Sequence, residues 1–350
     1  MLSLRRLYTN GKDTSYFIPD LVGDTVKLQG LGFEGITLVP YDEALGLSGI
    51  NELKDIMRDR PEGKFDEYKW LSAIENSIES KWDQTKFNLV FHSSGYDSRV
   101  ISHFLTKVYR QSPGDILFVC IEPESPQFKE IMQYQGWDES QWTIYDRYTN
   151  PFNLMSDFRT AYEGLDGLTT FPVNMSTACI KYLQAEGKCP EDLSNVNLWT
   201  GIHTNELFKS NQSLDKAIHR LYWSKLAPLW GMPCPNIITP VTAIDSLKAI
   251  FSTSRAEYFI LRDRMVRMLD PKLAEIDRIG SCSSYTISSI GAERIIRDFK
   301  NSYYYRCMEF LPMPEFRKRR YFVDNHKFWK VWAFASLVEH LVSKGVKIIR

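Results

Sequence analysis

Residues 88–98 have the sequence NLVFHSSGYDS, and this stretch decides the fold. Its first part, Asn88–His92, is a short apolar run that is typical of a strand buried in a parallel sheet. A loop of small and polar residues follows, and apolar residues from Val100 to Val108 then recur at helical spacing. The stretch therefore predicts a strand, a tight loop and a helix in succession.

Apolar runs and helical patterns alternate on both sides of this stretch. They predict strands at 115–121, 142–145 and 196–200, and helices at 66–82, 126–134 and 173–186. Beyond residue 210 the patterns are mainly helical, over 214–229, 243–251, 255–269, 291–300 and 326–343. The alternation predicts an α/β fold with an open parallel sheet and a helical C-terminal layer, and ligands of such sheets bind beyond the carboxyl ends of the strands.

The first part of the chain has a different pattern. Residues 1–80 predict a short α+β appendage with a strand at Phe33–Pro40, and residues 81–350 predict the sheet domain.

Composition excludes several classes of protein. The 350 residues include 43 Lys+Arg and 43 Asp+Glu, so there is no overall basic field to coat nucleic acid. No apolar run reaches the roughly 18 residues of a membrane helix, and the first residues lack the apolar core of a signal peptide. The six cysteines form no CxxC pair, which favours reduced thiols and a cytoplasmic location.

The loop has the chemistry of a phosphate site. Small residues let the backbone approach an anion closely, and the hydroxyls of Ser93 and Ser98 add donors beside the amides of a helix N-terminus. Asp97 repels phosphate, so its natural partner there is Mg²⁺. The alternative is an ordinary turn in which Asp97 or Ser98 caps the helix.

The loop resembles the pyrophosphate loop, S-G-G-x-D-S, of the N-type ATP pyrophosphatases, with Ser94 in place of a glycine. A second segment, Leu198–Phe208, resembles L-S-G-E-G-x-D-E-L-F of the asparagine synthetases, and Asp97 and Asn205 are 108 positions apart. Shorter stretches resemble the same synthetase domain in the same order, namely 118–122, 168–172, 237–240 and 260–262. The resemblance covers about 87–340.

This resemblance implies a sheet of the adenine-nucleotide α-hydrolase-like (PP-loop) type. It also implies a ligase that converts ATP to AMP and pyrophosphate while it activates a carboxylate, which an amine or amino acid then attacks. Residues that match the ATP or pyrophosphate contacts are Ser93, Ser94, Gly95, Tyr96, Asp97, Ser98, Cys120 and Gly201. Asp97 and Asn205 match the region that holds Mg²⁺.

The sequence departs from this family at several functional positions. Ile202 replaces the catalytic glutamate, Asn205 replaces an aspartate, and no lysine matches the late catalytic one. Candidate replacements in catalysis are His203, Glu206 and Lys318, although His203 is equally interpreted as a surface loop residue. Position 2 is leucine, so the glutaminase nucleophile is missing, and residues 1–80 resemble only a remnant of a glutaminase domain.

Two other functions stay open. The site retains its pyrophosphate loop better than its acyl-transfer residues, which suits an amine transferase that displaces pyrophosphate from a pyrophosphorylated nucleotide or DNA base. Nucleic acid would then contact a basic run, which is otherwise interpreted as a solvated face: Arg317, Lys318, Arg319 and Arg320. The second alternative is a nucleotide-binding pseudoenzyme.

Two residues beside the loop also carry predictions. His92 is expected to be a structural hydrogen-bonding residue, and Arg99 is expected either to contact phosphate or to be an exposed helical arginine.

Overall fold

The computed structural model describes slightly more than half of the chain. The described residues are 7–15, 18–29, 32–40, 43, 65–122, 124–146, 179–201, 236–249, 255–278, 334, 337–338 and 340–349.

Four short strands form the N-terminal part: β1 (Tyr8–Thr9), β2 (Thr14–Ser15), β3 (Thr25–Lys27) and β4 (Thr37–Leu38). β1 pairs antiparallel with both β2 and β4. The strand predicted at 33–40 is shorter than expected, because Glu34 and Gly35 form a turn in which Gly35 has a φ of 77°. This left-handed conformation suits glycine and interrupts the extended backbone.

Five parallel strands form the central sheet: β5 (Phe87–Phe91), β6 (Ile116–Ile121), β7 (Trp142–Tyr145), β8 (Val196–Thr200) and β9 (Asn236–Ile238). Their spatial order is β7-β6-β5-β8-β9. Leu89 in the middle of β5 aligns with Leu117 of β6 and Leu198 of β8, and all three are buried. The apolar runs therefore lie in the interior of the sheet, as parallel strands require.

The strand order fixes where a ligand is expected. The chain places β6 and β7 on one side of β5, and it places β8 and β9 on the other side. The connections after β5 and β8 therefore leave the same edge of the sheet beside a topological switch point. In open α/β sheets this point is the usual binding crevice.

The helices follow the periodicity of their apolar residues. They are α1 (Glu67–Lys81), α2 (Tyr96–Gln111), α3 (Ser125–Gln135), α4 (Ile244–Ala249), α5 (Arg255–Leu269) and α6 (Pro271–Glu275). Asp66 and Asp270 cap α1 and α6 by accepting backbone N–H groups, and Gly136 ends α3 in a left-handed conformation. α5 packs against α2, α1 and α6, which brings it close to the loop after β5.

The end of the chain lies against the N-terminal part. β10 (Lys347–Ile349) pairs parallel with β3, and the rings of Phe33 and Phe334 are 5.3 Å apart. Residues near both ends of the chain thus share one small sheet.

The predicted α/β class with a parallel sheet is confirmed, including the strands near 88–92, 115–121, 142–145 and 196–200. The helices expected at 214–229 and 291–300 lie outside the described residues. Within the described ranges, no helix is both long enough and apolar enough to cross a membrane.

Candidate phosphate-binding site

The loop after β5 and the residue after β8 meet at the switch point. A Cβ added to Gly201 would lie 3.3 Å from the carbonyl carbon of Asp97 and 3.4 Å from its Cβ. The shorter of these contacts is tighter than most Cβ contacts in proteins, so a glycine suits this close approach. The structure therefore brings together Gly201 and the 93–98 loop, which the sequence predicted as parts of one site.

Two serines hold the loop through hydrogen bonds between its own residues. The hydroxyls of Ser93 and Ser98 are 2.9 Å apart, and the backbone N–H of Ser93 donates to Ser98 Oγ at 3.1 Å. Gly95, the N-cap of α2, donates its N–H to Ser93 Oγ at 3.3 Å. The hydroxyls predicted to contact phosphate thus also hold the shape of the loop. Beyond them, the first amides of α2 have no acceptor within the helix, as at any helix N-terminus.

Ser94 is fully buried, and its polar groups bond within the protein. Its N–H and its hydroxyl both donate to Oε2 of Glu124, at 2.5 and 3.0 Å, and its carbonyl oxygen accepts from Arg99 Nε at 2.9 Å. Glu124 precedes α3, beyond the carboxyl end of β6. The sequence interpretation missed Glu124, and its one signal was an acidic residue at the carboxyl end of a predicted strand.

Arg99 is not the exposed helical arginine that one prediction described, because its side chain is fully buried and donates hydrogen bonds to backbone carbonyls. Besides Ser94, its guanidinium donates to the carbonyl oxygens of Leu273, Ile276 and Asp277 at 2.7 to 2.8 Å. These carbonyls lie at the end of α6 or just beyond it, where carbonyl oxygens have no N–H donor within the helix. Burial lowers the pKa of Arg99, but an arginine stays charged. Arg99 therefore fastens the loop to the chain that leaves α6.

The ring of Tyr96 lies among three guanidinium groups. Their central carbons are 5.0 Å (Arg278), 5.5 Å (Arg99) and 6.0 Å (Arg262) from the ring centroid, within the range of cation–π contacts. The Tyr96 hydroxyl donates to Asp263 Oδ1 at 3.0 Å. Burial, and then this bond, raise the pKa of Tyr96, so the phenol stays protonated. The first turn of α2 therefore lies among three guanidinium groups, one of which, that of Arg262, is paired with Asp97.

Asp97 forms an ion pair with Arg262 of α5. Both side chains are largely buried, with 14% of Asp97 and 8% of Arg262 exposed. No group of three or more metal-binding side chains occurs among the residues that the structure describes. Mg²⁺ in nucleotide sites commonly needs only one or two carboxylates, because the phosphates supply other ligands. Asp97 fits that pattern, provided that the ion shares its carboxylate with Arg262 or displaces that guanidinium.

His92 is buried between the rings of Phe118 and Phe128. Its Nε2 lies 3.2 Å from Ser102 Oγ, which already donates to a carbonyl and accepts from Gln135. A serine hydroxyl has one proton, so this network assigns the His92 proton to Nε2. Burial, with Arg99 nearby, lowers the pKa of His92 to about 3, so the ring is neutral. His92 is therefore a buried, neutral residue that hydrogen-bonds within the core, as expected of a structural residue.

The other predicted residues fall into two groups. Cys120 is buried in β6, next to the last residue of that strand, with its thiol 3.7 Å from the Ile121 carbonyl oxygen. The following lie outside the described residues: Ile202, His203, Asn205, Glu206, Arg317, Lys318, Arg319 and Arg320.

A cavity of about 490 Å³ lies elsewhere, at the amino-terminal edge of the sheet. Phe87, Ile116 and Trp142, at the starts of β5, β6 and β7, contribute to its lining. This cavity is therefore at the opposite ends of the strands from the loop and Gly201.

Neither a protein-family model nor a curated protein matches the chain.

Proposed function

We propose that the protein binds the pyrophosphate part of ATP at Ser93–Ser98 and forms a C–N bond between a carboxylate and an amine. One observation carries this proposal. The loop after β5 and Gly201 after β8 converge at the switch point of a parallel sheet. Small residues at the carboxyl edge of such a sheet, at the start of a helix, suit a phosphate group.

The charges near the loop support an anionic ligand. Arg278 is exposed beside Tyr96, and Arg262 reaches Asp97 in the first turn of α2. Guanidinium groups bind phosphate oxygens through paired donors and stabilise the charge on a leaving pyrophosphate. A leaving group of this kind is what an adenylate-forming ligase produces.

Mg²⁺ is part of this proposal, since it would neutralise charge on the phosphates. Asp97 would hold it, with Asn205 as a second ligand by resemblance to the synthetases. The PP-loop type of the sheet and the helical C-terminal layer belong to the same proposal. So do the catalytic roles of His203, Glu206 and Lys318.

A second function is favoured by the ion pair of Asp97. Because Arg262 already neutralises this carboxylate, the loop suits pyrophosphate without a divalent ion. An amine, such as an amino acid, would then attack a substrate that carries its own pyrophosphate, such as a modified nucleotide or DNA base. A carbon–nitrogen bond would form, pyrophosphate would leave with the bonding electrons of its carbon–oxygen bond, and the amine nitrogen would release a proton to solvent.

Calorimetry and phosphorus NMR separate these functions. The protein is titrated with ATP and with pyrophosphate, each with and without Mg²⁺, and is then incubated with MgATP and the twenty amino acids. For the ligase we expect AMP and pyrophosphate, and we expect Asp97→Ala to weaken MgATP binding at least about tenfold, a loss of about 1.4 kcal/mol. Asp115→Ala is the control, since Asp115 is an exposed acidic residue at the opposite edge of the sheet.

The same variant tests the second function. If pyrophosphate binds without metal, Asp97→Ala removes a repelling carboxylate and releases a guanidinium, so its affinity for pyrophosphate should rise. ATP binding without AMP formation under any condition would identify a nucleotide-binding protein without chemistry. Failure of both ATP and pyrophosphate to bind would reject the site.

A further inference from the structure

Glu124 places a negative charge against the loop, at Ser94. Its Oε2 accepts the backbone N–H of Ser94 at 2.5 Å and the hydroxyl of the same residue at 3.0 Å. The two residues belong to different strand–helix connections, after β6 and after β5. Glu124 is only partly buried, whereas Ser94 is fully buried. Solvent therefore reaches the Glu124 side of this contact but not the Ser94 side.

This contact has the chemistry of an anion in a phosphate loop. Such loops donate backbone N–H groups and hydroxyls to oxygen atoms that share a negative charge. A carboxylate offers the same kind of acceptor, and hydrogen bonds to charged acceptors are roughly twice as strong as neutral ones. The donors of Ser94 are therefore already engaged by an anion that the chain itself supplies.

A side chain of the protein also occupies the place where a cation is expected near the loop. Asp97 was predicted to face Mg²⁺, and a guanidinium, that of Arg262, lies against it. In the described structure, side chains thus stand at both places where the ligand and its metal are expected: a carboxylate at Ser94 and a cation at Asp97. Both contacts join the loop to other elements, and in each the group from the other element is a charged, rotatable side chain.

We propose that Glu124 is an internal anion that closes the loop, and that a pyrophosphate group binds by displacing it. This inference rests on the proposed function, because it assumes that the loop takes such a group. Displacement lowers the apparent affinity, since binding must first break the two hydrogen bonds to Ser94. Only a ligand rich in negative charge replaces them, which favours pyrophosphate and polyphosphate over weakly charged anions.

The competing interpretation is that Glu124 only braces the loop. The ligand would then bind at the first amides of α2, and Glu124 would stay in place when it binds. Weakening the brace would leave the affinity unchanged or lower it, whereas removing a competitor raises it. The direction of the change therefore decides between the two.

The test is calorimetric titration of pyrophosphate, at low ionic strength, into wild type, Glu124→Gln and Glu130→Gln. Glu130 is an exposed residue of α3, so its variant removes the same charge from the same part of the protein without touching the loop. We expect Glu124→Gln to bind about tenfold more tightly than wild type, because a neutral amide holds Ser94 less strongly. Glu130→Gln should change the affinity by less than about twofold, because an exposed charge in water acts only weakly on an anion that it does not contact.

A second variant guards against an effect of the glutamine amide itself. Glu124→Ala removes the acceptor entirely, and it should bind pyrophosphate at least as tightly as Glu124→Gln. The side chain makes no capping bond to α3, so both variants should retain the helix. Equal affinities in wild type and in the Glu124 variants, or weaker binding by those variants, would overturn the inference while leaving the phosphate site in place. Absence of binding to all of the proteins would reject the phosphate site itself.

Discussion

The two ends of β5 each hold a buried polar side chain, and their surroundings differ. At the amino end, the Asn88 amide donates to the carbonyl oxygens of Asp83, Lys86 and Asp115, at 3.1, 2.9 and 3.3 Å. Its oxygen accepts from Trp199 Nε1 at 2.9 Å and from Asn197 at 3.4 Å. Every partner of this side chain is a backbone carbonyl or a neutral side chain that is itself buried.

The carboxyl end is organised differently. The His92 side chain makes one hydrogen bond, through Nε2, and its buried Nδ1 has no partner among the described residues. The loop that follows is held by charged side chains from other elements, Glu124 at Ser94 and Arg262 at Asp97. The neutral, buried partners of Asn88 make a structural end of the strand. We propose that the carboxyl end is a binding end, where a charged partner gives way to a ligand of the same charge.

The largest effect that this difference predicts is on stability, from Asn88→Ala. The change leaves the Trp199 indole N–H and the Asn197 amide without their acceptor, and it deprives three carbonyls of a donor. We expect the free energy of unfolding to fall by about 3 kcal/mol, the range seen when a buried hydrogen-bond network is broken. Urea denaturation measures it.

The affinity of Asn88→Ala for pyrophosphate should equal that of wild type within about twofold, because distant sites act independently. A large loss of affinity in the folded variant would show that the two ends of β5 are coupled. The contrast between a structural end and a binding end would then be wrong.

Sequence reasoning predicted those parts of the molecule that depend on local pattern. Apolar runs gave the strands, helical spacing gave the helices, and small residues at the end of a strand indicated the 93–98 loop. The approach of Gly201 to Asp97 also followed, since parallel strands end at one edge of the sheet. These features arise within a few residues of chain or from the direction of the strands.

The partners of the loop could not be predicted in the same way. Glu124 is 30 positions from Ser94, and Arg262 is 165 positions from Asp97. Nothing in the pattern of either segment indicates the other. Arg99 shows the same limit, because its position near the start of α2 suggested an exposed or ligand-binding side chain. Its burial depends on α6 and the residues just after it, which supply carbonyls 174 to 178 positions away.

The second prediction concerns how the free energy of unfolding depends on pH through His92, at the carboxyl end of β5. The folded pKa of about 3 lies below the ordinary value of 6.5. Between these values the unfolded chain binds more protons than the folded one, so stability falls as pH decreases through that window. From pH 7.5 to pH 4.5 this group should remove roughly 2 to 3 kcal/mol from the free energy of unfolding. His92→Gln should lack that contribution while its amide still donates to Ser102.

The measurement is urea denaturation of both proteins at several pH values, and the quantity of interest is the difference between them. His103→Gln is the matched control, since burial also lowers the pKa of His103 but Asp270 and Glu75 oppose that effect. Its profile should follow wild type more closely. Parallel profiles for wild type and His92→Gln would mean that His92 takes up protons alike in the folded and unfolded chain.

The smallest effect on affinity is expected for Arg278, an exposed residue that adds positive charge beside the binding end of β5. Its guanidinium lies 5.0 Å from the Tyr96 ring and 5.9 Å from that of Phe259. Arg278→Gln should weaken pyrophosphate binding about threefold, the effect of one exposed charge several ångströms from an anion. Because exposed charges are screened, this loss should shrink as salt is added.

Lys272→Gln is the control that separates the effect of positive charge beside Tyr96 from the effect of the overall charge of the protein on pyrophosphate affinity. Lys272 is also exposed and also lies over an aromatic ring, 5.0 Å from the centroid of Tyr134, but it belongs to the other end of α6. If the affinity for pyrophosphate depends on charge beside Tyr96, only Arg278→Gln lowers it, and unfolding is unaffected in both variants. Equal losses in the two would indicate a diffuse field, and the arginines around Tyr96 would then have no special part in selecting the ligand. No loss in either would leave Arg262 and the amides of α2 to carry the binding alone.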